Sequence, residues 1–275
     1  MLDKIPECPV CKSLTLKFAF TPAIQPEFSR SYYLCSDCDL LVSNLDFEGV
    51  LGKRASFGYY ESLDTENIAA KFERVMALSP ERSDNWTRVR RILQTVSDVR
   101  TSFGLVLGNK ALDIGSGTGV FAARLLKEDP QWSIDCIEPD ARACKHISEA
   151  VGVKAICGIL EDCKDLGKYD LICMNRVLEH LPKPDRTIEF LDANLAIGGL
   201  IYIEVPDIVC YDKFGPSASE FGVEHLTIWS PRSLGILLKN SGFIDLVSGR
   251  FLEPSGKISA VVFAARVKDL RVMTR

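Results

Sequence analysis

Four cysteines near the start of the sequence have the residue type and the spacing of a metal site. Cys8 and Cys11 form the knuckle CPVC, and Cys35 and Cys38 form CSDC. Each pair can direct two thiolates at one ion, and two such pairs complete a closed tetrahedral zinc site. A stretch this short has too few apolar residues for its own core, so metal binding would supply much of its folding free energy. The sequence predicts a zinc ribbon over residues 1–46 that binds Zn²⁺, with a metal-free cluster or a redox dithiol as the alternatives.

A glycine-rich turn is the second feature that could bind a ligand. In ALDIGSGTGVFAARLL, Asp113 lies in an apolar run, and Gly115, Gly117 and Gly119 alternate before a segment with helical character. In a doubly wound sheet, a turn of this kind lets the backbone approach a cofactor closely. A dinucleotide fingerprint, G-x-G-x-x-G, would need its third glycine at Val120, so the pattern favours a different nucleoside.

The next apolar strand, SIDCIEP, ends in a carboxylate, Glu138. A carboxylate at the end of the second strand of a nucleotide-binding fold can accept hydrogen bonds from two ribose hydroxyls. The glycine turn and Glu138 together predict a site for a nucleoside-containing cofactor. The alternative is a tight strand-to-helix connection without a ligand.

The elements that must position these residues follow from the alternation of apolar strands and helical segments. The strands predicted after residue 109 are KALDIG, SIDCIEP, VKAICG, YDLICMN, GGLIYIEVP, FIDLVSG and KISAVVFAARV. Several are apolar throughout, which indicates an α/β fold: a doubly wound, mostly parallel seven-stranded sheet with helices on both faces. The last two strands are joined by the short segment RFLEPSG, so the sheet should finish in an antiparallel hairpin.

Residues 47–108 have helical periodicity and predict a connector between the ribbon and the domain at 109–275. One helix should open at Leu63 or Thr65, and the next should be capped by Ser83 or Asp84. The aromatic residues that precede the connector helices are Phe57, Tyr59 and Tyr60. Their rings could cover a ligand or serve in packing.

From residue 110 to 267 the sequence resembles the class I S-adenosylmethionine-dependent methyltransferases. LDIGSGTG, CIEPD, ICGILEDC and YDLICMNRVLEHLPKP look like the successive motifs of that family, and GGLIYIEVPD follows them. The resemblance implies a Rossmann-like fold and S-adenosyl-L-methionine as cofactor. The residues that it assigns to cofactor binding, together with the neighbouring positions of the turn, are Asp113, Gly115, Gly117, Gly119, Glu138, Leu160, Glu161 and Asn175. Among these, Glu138 would hold the ribose, Leu160 and Glu161 would flank the adenine, and Asn175 would lie beneath the sulfonium.

The order of segments is similar to that of bacterial enzymes that methylate nucleotide-linked sugars and other surface-glycan precursors. Glu224 and His225 match an EH pair that supplies the base in the sugar C-methyltransferases of that group. Gly222 stands where those enzymes carry a tyrosine, and the protein is expected to lack their long extra C-terminal domain. The resemblance implies a small hydroxylated acceptor, with a nucleotide-linked sugar as one candidate.

Methyl transfer requires one proton to leave the acceptor, and a histidine titrates in the suitable range. His225 follows the Gly- and Pro-containing segment YDKFGPSASEFGVEH, which we interpret as a lid, and is the first candidate for the base. Glu224 could orient it or bind an acceptor hydroxyl. His180, after the fourth strand, should face the cofactor cleft or cap the following loop, and His146 is predicted to lie on the surface.

Composition limits the partners. The formal net charge is −4 and the pI is about 5.6, which gives no global attraction to nucleic acid or an anionic membrane. The first residues contain no apolar leader, and no apolar run approaches the length of a membrane span, so a cytoplasmic protein is expected. Two alternatives stay open: an RNA methyltransferase whose ribbon contacts RNA through Lys12, Lys17 and Arg30, and a cofactor-binding module without turnover. The sequence does not indicate the oligomeric state.

Overall fold

The structure is a computed structural model that describes residues 7–25, 30–45, 67–103, 108–164, 166–266 and 269, without the side chains of Phe103 and Glu161. The predictions made for Phe57, Tyr59, Tyr60, Leu63 and Thr65 lie outside these residues.

The main sheet has seven strands and confirms the predicted α/β architecture. Its strands are β4 (Lys110–Ile114), β5 (Ser133–Glu138), β6 (Ala155–Cys157), β7 (Tyr169–Asn175), β8 (Leu195–Pro206), β10 (Phe243–Leu252) and β11 (Ile258–Arg266). The spatial order is β6-β5-β4-β7-β8-β11-β10. The first five strands in this order pair in parallel, and β11 runs antiparallel to both β8 and β10. The predicted antiparallel hairpin is therefore present, with β11 inserted next to β8.

Burial along the strands explains this arrangement. The central strands β4 and β8 are buried over nearly all their length, as expected when helices cover both faces of a parallel sheet. The edge strand β10 is exposed at most of its positions. Apolar side chains of the central strands divide into two core clusters, with Leu112 and Ile203 in one and Ala111 and Tyr202 in the other. The carboxyl ends of β4, β5 and β7 consequently meet at one edge of a rigid sheet.

The described helices are α1 (Ile68–Met76), α2 (Asp84–Phe103), α3 (Val120–Glu128), α4 (Ala141–His146), α5 (Pro184–Asn194), α6 (Cys210–Phe214) and α7 (Pro231–Asn240). Asn67 caps α1, and the Ser83 hydroxyl accepts a hydrogen bond from the Trp86 amide in the first turn of α2, as predicted for Ser83. Ser230 caps α7 with a capping box. None of these described helices is long and apolar enough to cross a membrane.

The N-terminal segment forms a small antiparallel sheet. Its strands are β1 (Leu16–Phe20), β2 (Tyr32–Cys35), β3 (Leu40–Ser43) and β9 (Thr227–Ile228). The first two pair antiparallel in the register Leu16↔Cys35. The strands β3 and β9 were not predicted, and they pair through Leu41↔Ile228. Because β9 comes from the main domain, the ribbon sheet is continuous with that domain.

The segment interpreted as a lid is packed against the ribbon. It begins with α6 and continues through the short 3₁₀ helices Gly215–Ser217 and Ser219–Phe221. Phe221 is fully buried in an aromatic cluster with Phe20 and Tyr32. Aromatic burial ties the segment to the ribbon in this structure, and its role as a lid stays a prediction.

Candidate functional site

The glycine turn after β4 has a backbone that only glycine adopts without strain. Gly115 has φ +68° and Gly119 has φ +80°. A Cβ at Gly115 would lie 2.4 Å from Val177 Cγ2, and one at Gly119 would lie 2.9 Å from Ile147 Cγ1. Glycine is thus required both for the left-handed turn and for its close contacts with the loop after β7 and the helix after β5.

Glu138 is fixed beside this turn. Its side chain is only 5% exposed, and its two oxygens accept hydrogen bonds from the Gly117 amide at 2.8 Å and the Asp140 amide at 3.0 Å. Burial raises the pKa of Glu138 to about 7, although the two amides act in the opposite direction. An ionised carboxylate has about four lone-pair sites, so it can still accept from hydroxyl donors of a ligand.

A cavity of about 220 Å³ opens at the turn, and Asp113, Gly115 and Asn175 contribute to its lining. The Asn175 amide donates to Asp113 Oδ1 at 3.1 Å, while its own Oδ1 is buried without a hydrogen-bond partner among the described residues. Burial raises the pKa of Asp113 to about 7. The cavity therefore gathers three of the residues that the sequence assigned to the cofactor, and it contains polar groups that a ligand could satisfy.

The structure describes only one of the two side chains that were predicted to flank the adenine, that of Leu160. Leu160 is 9% exposed and belongs to the main core cluster. The nearby Gly158 amide donates to the Glu138 carbonyl at 3.1 Å, which places the loop after β6 beside the end of β5. The Glu161 side chain lies outside the described part of the chain.

Residues of the connector also line the cavity, and sequence reasoning missed them. Val75 of α1 and Arg88 of α2 both reach its wall. Arg124 of α3 donates to the Met76 carbonyl at 2.7 Å, so the end of α1 is tied down next to the glycine turn. The two connector helices therefore form part of the cavity wall, which a helical pattern alone does not reveal.

Arg88 is held by a buried ion network centred on Glu204 of β8. Arg88 donates to both carboxylate oxygens, at 2.9 and 2.5 Å, while Arg91, Tyr202 and Ser259 make further hydrogen bonds to them. Burial alone would raise the pKa of Glu204, but Arg88 and the other donors outweigh it and lower the pKa to about 2. A fully buried glutamate in the apolar strand GGLIYIEVP was the available signal, since such a group needs a cation.

The structure brings together the two histidines proposed for catalysis. The rings of His180 and His225 meet edge to face, with their centroids 4.7 Å apart. His180 Nδ1 lies 2.9 Å from the Glu224 carbonyl, and His225 Nδ1 lies 2.6 Å from the Glu220 carbonyl. Burial lowers the pKa of His225 well below its usual value, and His180 acts in the same direction. His180 ends the 3₁₀ helix Leu178–His180 that follows β7, at the same edge of the sheet as the cavity, and His225 comes from the segment that precedes β9.

Glu224 occupies the space beside Gly222. A Cβ at Gly222 would lie 2.6 Å from Glu224 Oε1, so a larger side chain at position 222 would displace the Glu224 carboxylate.

The ribbon holds this part of the site in place. Tyr32 donates its hydroxyl hydrogen bond to the His225 carbonyl at 2.6 Å, and Arg30 donates to the Phe221 carbonyl at 2.5 Å. On the other side, the Leu226 amide donates to the Glu179 carbonyl at 2.8 Å. The backbone around His225 is thereby fixed by contacts from two separate parts of the chain.

Glu179 is a further residue that sequence reasoning passed over. It is 0% exposed, and neither carboxylate oxygen has a hydrogen-bond partner among the described residues. Burial raises its pKa, with opposing contributions from His180 and Arg176. It precedes His180 in LEHLPKP, and an acidic residue between Leu178 and the histidine was the available signal.

His146 is placed differently from its prediction. Its ring packs edge to face on Phe72 of α1, at a centroid distance of 5.0 Å, and its Nε2 is buried without a described hydrogen-bond partner. The expectation of a surface histidine is wrong, because α1 covers this face of α4.

The four ribbon cysteines converge as predicted. One sulfur from each lies within 4.8 Å of the other three, and the Cys8–Cys38 and Cys11–Cys35 sulfurs are 3.5 Å apart. In a tetrahedral zinc site with bonds of about 2.3 Å, sulfurs are about 3.8 Å apart. The donor set and its geometry therefore fit a zinc ion.

Comparison with known proteins agrees with this fold. A family described as a methyltransferase domain matches residues 77–246, more than half of the chain. The malonyl-[acyl-carrier protein] O-methyltransferase 2 of Ilyobacter polytropus is 31% identical over 94 residues, which are 33% of this chain and 36% of that protein. The malonyl-[acyl-carrier protein] O-methyltransferase of Halalkalibacterium halodurans is 33% identical over 124 residues, 41% of this chain and 46% of that protein. The chain thus spans less than half the length of these curated relatives.

Solved structures show the same fold at low identity. The plantazolicin methyltransferase BpumL, in complex with SAH, has a TM-score of 0.57 at 16% identity and covers 80% of this chain and 97% of that chain. The magnesium protoporphyrin IX methyltransferase of Synechocystis, with bound SAH, has a TM-score of 0.50 at 15% identity and covers 79% and 94%. With the sequence match over most of the sheet and the observed strand order, the chain belongs to the methyltransferase domain family.

Proposed function

We propose that this chain is an S-adenosylmethionine-dependent methyltransferase that acts on a hydroxyl group of a small acceptor. The observation that carries the cofactor assignment is Glu138, a nearly buried carboxylate anchored to the Gly117 amide at the end of β5. A carboxylate in that position suits the two hydroxyls of a ribose. The G-x-G-x-G turn, with Val120 in place of a third dinucleotide glycine, favours this cofactor over NAD.

The remaining cofactor assignments follow the same geometry. Gly115 and Gly117 would lie against the methionine part, and Asn175 would lie beneath the sulfonium at the floor of the cavity that it lines. Leu160 and Glu161 would flank the adenine beside the end of β5. The unpartnered Asn175 Oδ1 supports a polar ligand in this cavity.

The acceptor would bind beside the histidine pair. Methyl transfer is a displacement at an already activated carbon, so the protein mainly has to position the acceptor, exclude water and let one proton leave. We propose that His180, His225 and Glu224 contact the acceptor. Direct proton uptake by one of the rings stays a prediction from the sequence, and the depressed pKa of His225 makes its protonated form costly.

The acceptor class that we propose is a nucleotide-linked sugar or another surface-glycan precursor. It is supported by the order of ribbon, connector, core and EH pair. The RNA alternative loses support because Arg30 is 3% exposed and engaged with backbone carbonyls, and Lys12 pairs with Asp185 at 3.4 Å. Of the three basic residues named for RNA contact, this leaves the exposed Lys17 of β1 to face a phosphate backbone.

We also propose that the ribbon binds one zinc ion through Cys8, Cys11, Cys35 and Cys38. A structural zinc would stabilise the sheet to which β9 belongs, and hence the backbone that leads to His225. Its contribution to the site would be positional, since four thiolates leave no open position for a substrate.

The function can be tested by incubating the protein and methyl-labelled cofactor with fractionated cell extract. Label in a small-molecule fraction that a nucleotide pyrophosphatase converts to a sugar phosphate supports the proposed acceptor. Label released by ribonuclease or by mild alkaline ester hydrolysis would instead assign RNA or a carboxylate acceptor. His225→Gln should reduce labelling while cofactor affinity is kept, and His146→Gln serves as the matched control.

A further inference from the structure

Three groups of the types that ligate metals converge beside the acceptor site. One ligand atom from each of Glu179, His180 and His225 lies within 4.8 Å of the other two. In the described part of the chain, the ribbon cysteines form the other group of this kind. Ligands of one ion, bound at about 2.0–2.2 Å, lie about 3–4 Å apart, so small side-chain rotations would close the cluster.

The carboxylate of this cluster lacks the partner that its burial demands. Glu179 is 0% exposed, and both of its oxygens are buried without a hydrogen bond among the described residues. An isolated buried carboxylate is expensive unless it is protonated, paired or bound to a metal. No described ion pair joins Glu179 to Arg176. The Arg176 guanidinium lies 3.9 Å from Glu204 and donates to the Ser259 hydroxyl at 3.1 Å. The site thus has a negative group placed where a cation would satisfy it.

A backbone carbonyl fixes the tautomer of each imidazole. The Nδ1 atoms of His180 and His225 contact the carbonyl oxygens of Glu224 and Glu220. A carbonyl can only accept, so each Nδ1 carries the proton and Nε2 is the unprotonated nitrogen of the neutral ring. A backbone carbonyl that fixes the tautomer of a ligating histidine is the common supporting arrangement at metal sites.

We propose that Glu179, His180 and His225 bind one divalent transition-metal ion. Two imidazoles and one carboxylate suit Zn²⁺, Mn²⁺, Fe²⁺ or Co²⁺, and they leave coordination positions open on the acceptor side. This ion is separate from the ribbon zinc, which would be enclosed by four thiolates. The histidines then act as ligands, and their effect on methyl transfer is exerted through the ion.

The ion gives the site a route for the acceptor's proton. A hydroxyl bound to a divalent ion has a lowered pKa, so its proton can pass to water without a protonated histidine. The acceptor oxygen then forms its bond to the methyl carbon while the carbon–sulfur bond breaks. The bonding electron pair stays on sulfur, and the sulfonium becomes a neutral thioether. This catalytic role rests on the proposed function, whereas the ion site does not.

The test measures ion binding directly. The zinc content of the purified protein is determined first, and Mn²⁺ is then titrated while the electron paramagnetic resonance signal of free Mn²⁺ is followed; Zn²⁺ is titrated separately by calorimetry. We expect one ion beyond the ribbon zinc. Glu179→Gln and His225→Gln should each weaken its binding by at least tenfold. His146→Gln, a histidine outside the cluster, should bind it as the wild type does.

The shift in unfolding temperature that Mn²⁺ causes measures ion binding even in a variant that is less stable than the wild type. Bound Mn²⁺ should raise the unfolding temperature of the wild type and of His146→Gln, but not that of Glu179→Gln. The proposal is overturned if neither Mn²⁺ nor Zn²⁺ binds beyond the ribbon, or if Glu179→Gln and His225→Gln bind as tightly as wild type. Ion binding with the expected variant pattern but without methyl transfer would leave the ion site standing and reject the proposed function.

Discussion

Removing one hydroxyl from the ribbon should impair methyl transfer without affecting the cofactor. Tyr32 is fully buried, and its hydroxyl donates to the His225 carbonyl at 2.6 Å. Tyr32→Phe keeps the ring, which stacks on Phe20 at a centroid distance of 5.3 Å. The change therefore removes the hydroxyl that links the ribbon to the proposed acceptor site, and this hydroxyl also interacts with the Arg30 side chain.

The expected loss of rate can be worked out from the His225 carbonyl, which loses its hydrogen-bond donor in Tyr32→Phe. A buried carbonyl that loses its partner costs about 1–3 kcal/mol. If displacement of His225 raises the activation free energy of methyl transfer by that amount, the transfer rate should fall by about 5- to 150-fold. Cofactor affinity should change less than twofold, because the glycine turn and Glu138 lie on other elements.

The assay compares Tyr32→Phe with Tyr33→Phe, the adjacent residue of β2. The Tyr33 hydroxyl makes no hydrogen bond to the described residues, so its removal should leave transfer within about twofold of wild type. Label transfer and cofactor calorimetry are measured for both variants. Equal transfer rates in the two variants, or a loss of cofactor affinity that matches the loss of rate, would refute the positioning role.

Three further outcomes are expected. Cys38→Ser should reduce bound zinc to below one ion per chain by elemental analysis, and a matched change of the exposed Cys157 should not; equal zinc in both would reject the ribbon site. Glu204→Gln removes the negative charge that balances the buried Arg88, so it should lower the free energy of unfolding by about 3–5 kcal/mol in denaturant titrations. The exposed Glu189→Gln should lower it by less than about 0.5 kcal/mol. The pKa of Glu138 is about 7 and ribose donors favour its ionised form, so cofactor affinity should fall as the pH drops through 7, with proton release on binding in calorimetry; a pH-independent affinity would contradict this.

The main sheet could be predicted from the sequence because its strands are long and apolar. The segment GGLIYIEVP, for example, belongs to the buried strand β8. The two-residue strand β9 was beyond such reasoning, since it exists only through pairing with β3, nearly two hundred positions earlier in the chain. Long-range packing likewise buries part of the segment interpreted as a lid against Phe20, which its local sequence does not indicate. Short segments take their structure from tertiary contacts rather than from a local pattern.

The candidate site was predictable where a motif specifies a residue. The Gly117–Glu138 contact and the convergence of the four cysteines agree with the spacing of their motifs. Arg88 and Glu179 were missed because their roles depend on partners distant in sequence. The burial of Glu179 only becomes visible once β7 and the segment near His225 are brought together.

The most direct test of the account is the rate of methyl transfer from labelled S-adenosylmethionine by wild type and Glu138→Ala, measured across cofactor concentrations. Loss of the ribose acceptor should cost about 2–3 kcal/mol of cofactor binding, a factor of about 30 to 150. Wild type should label an acceptor fraction, and Glu138→Ala should do so far more slowly at low cofactor concentration and recover at saturation. Absence of labelling by wild type in every fraction, or equal rates for both proteins at low cofactor concentration, would contradict this account.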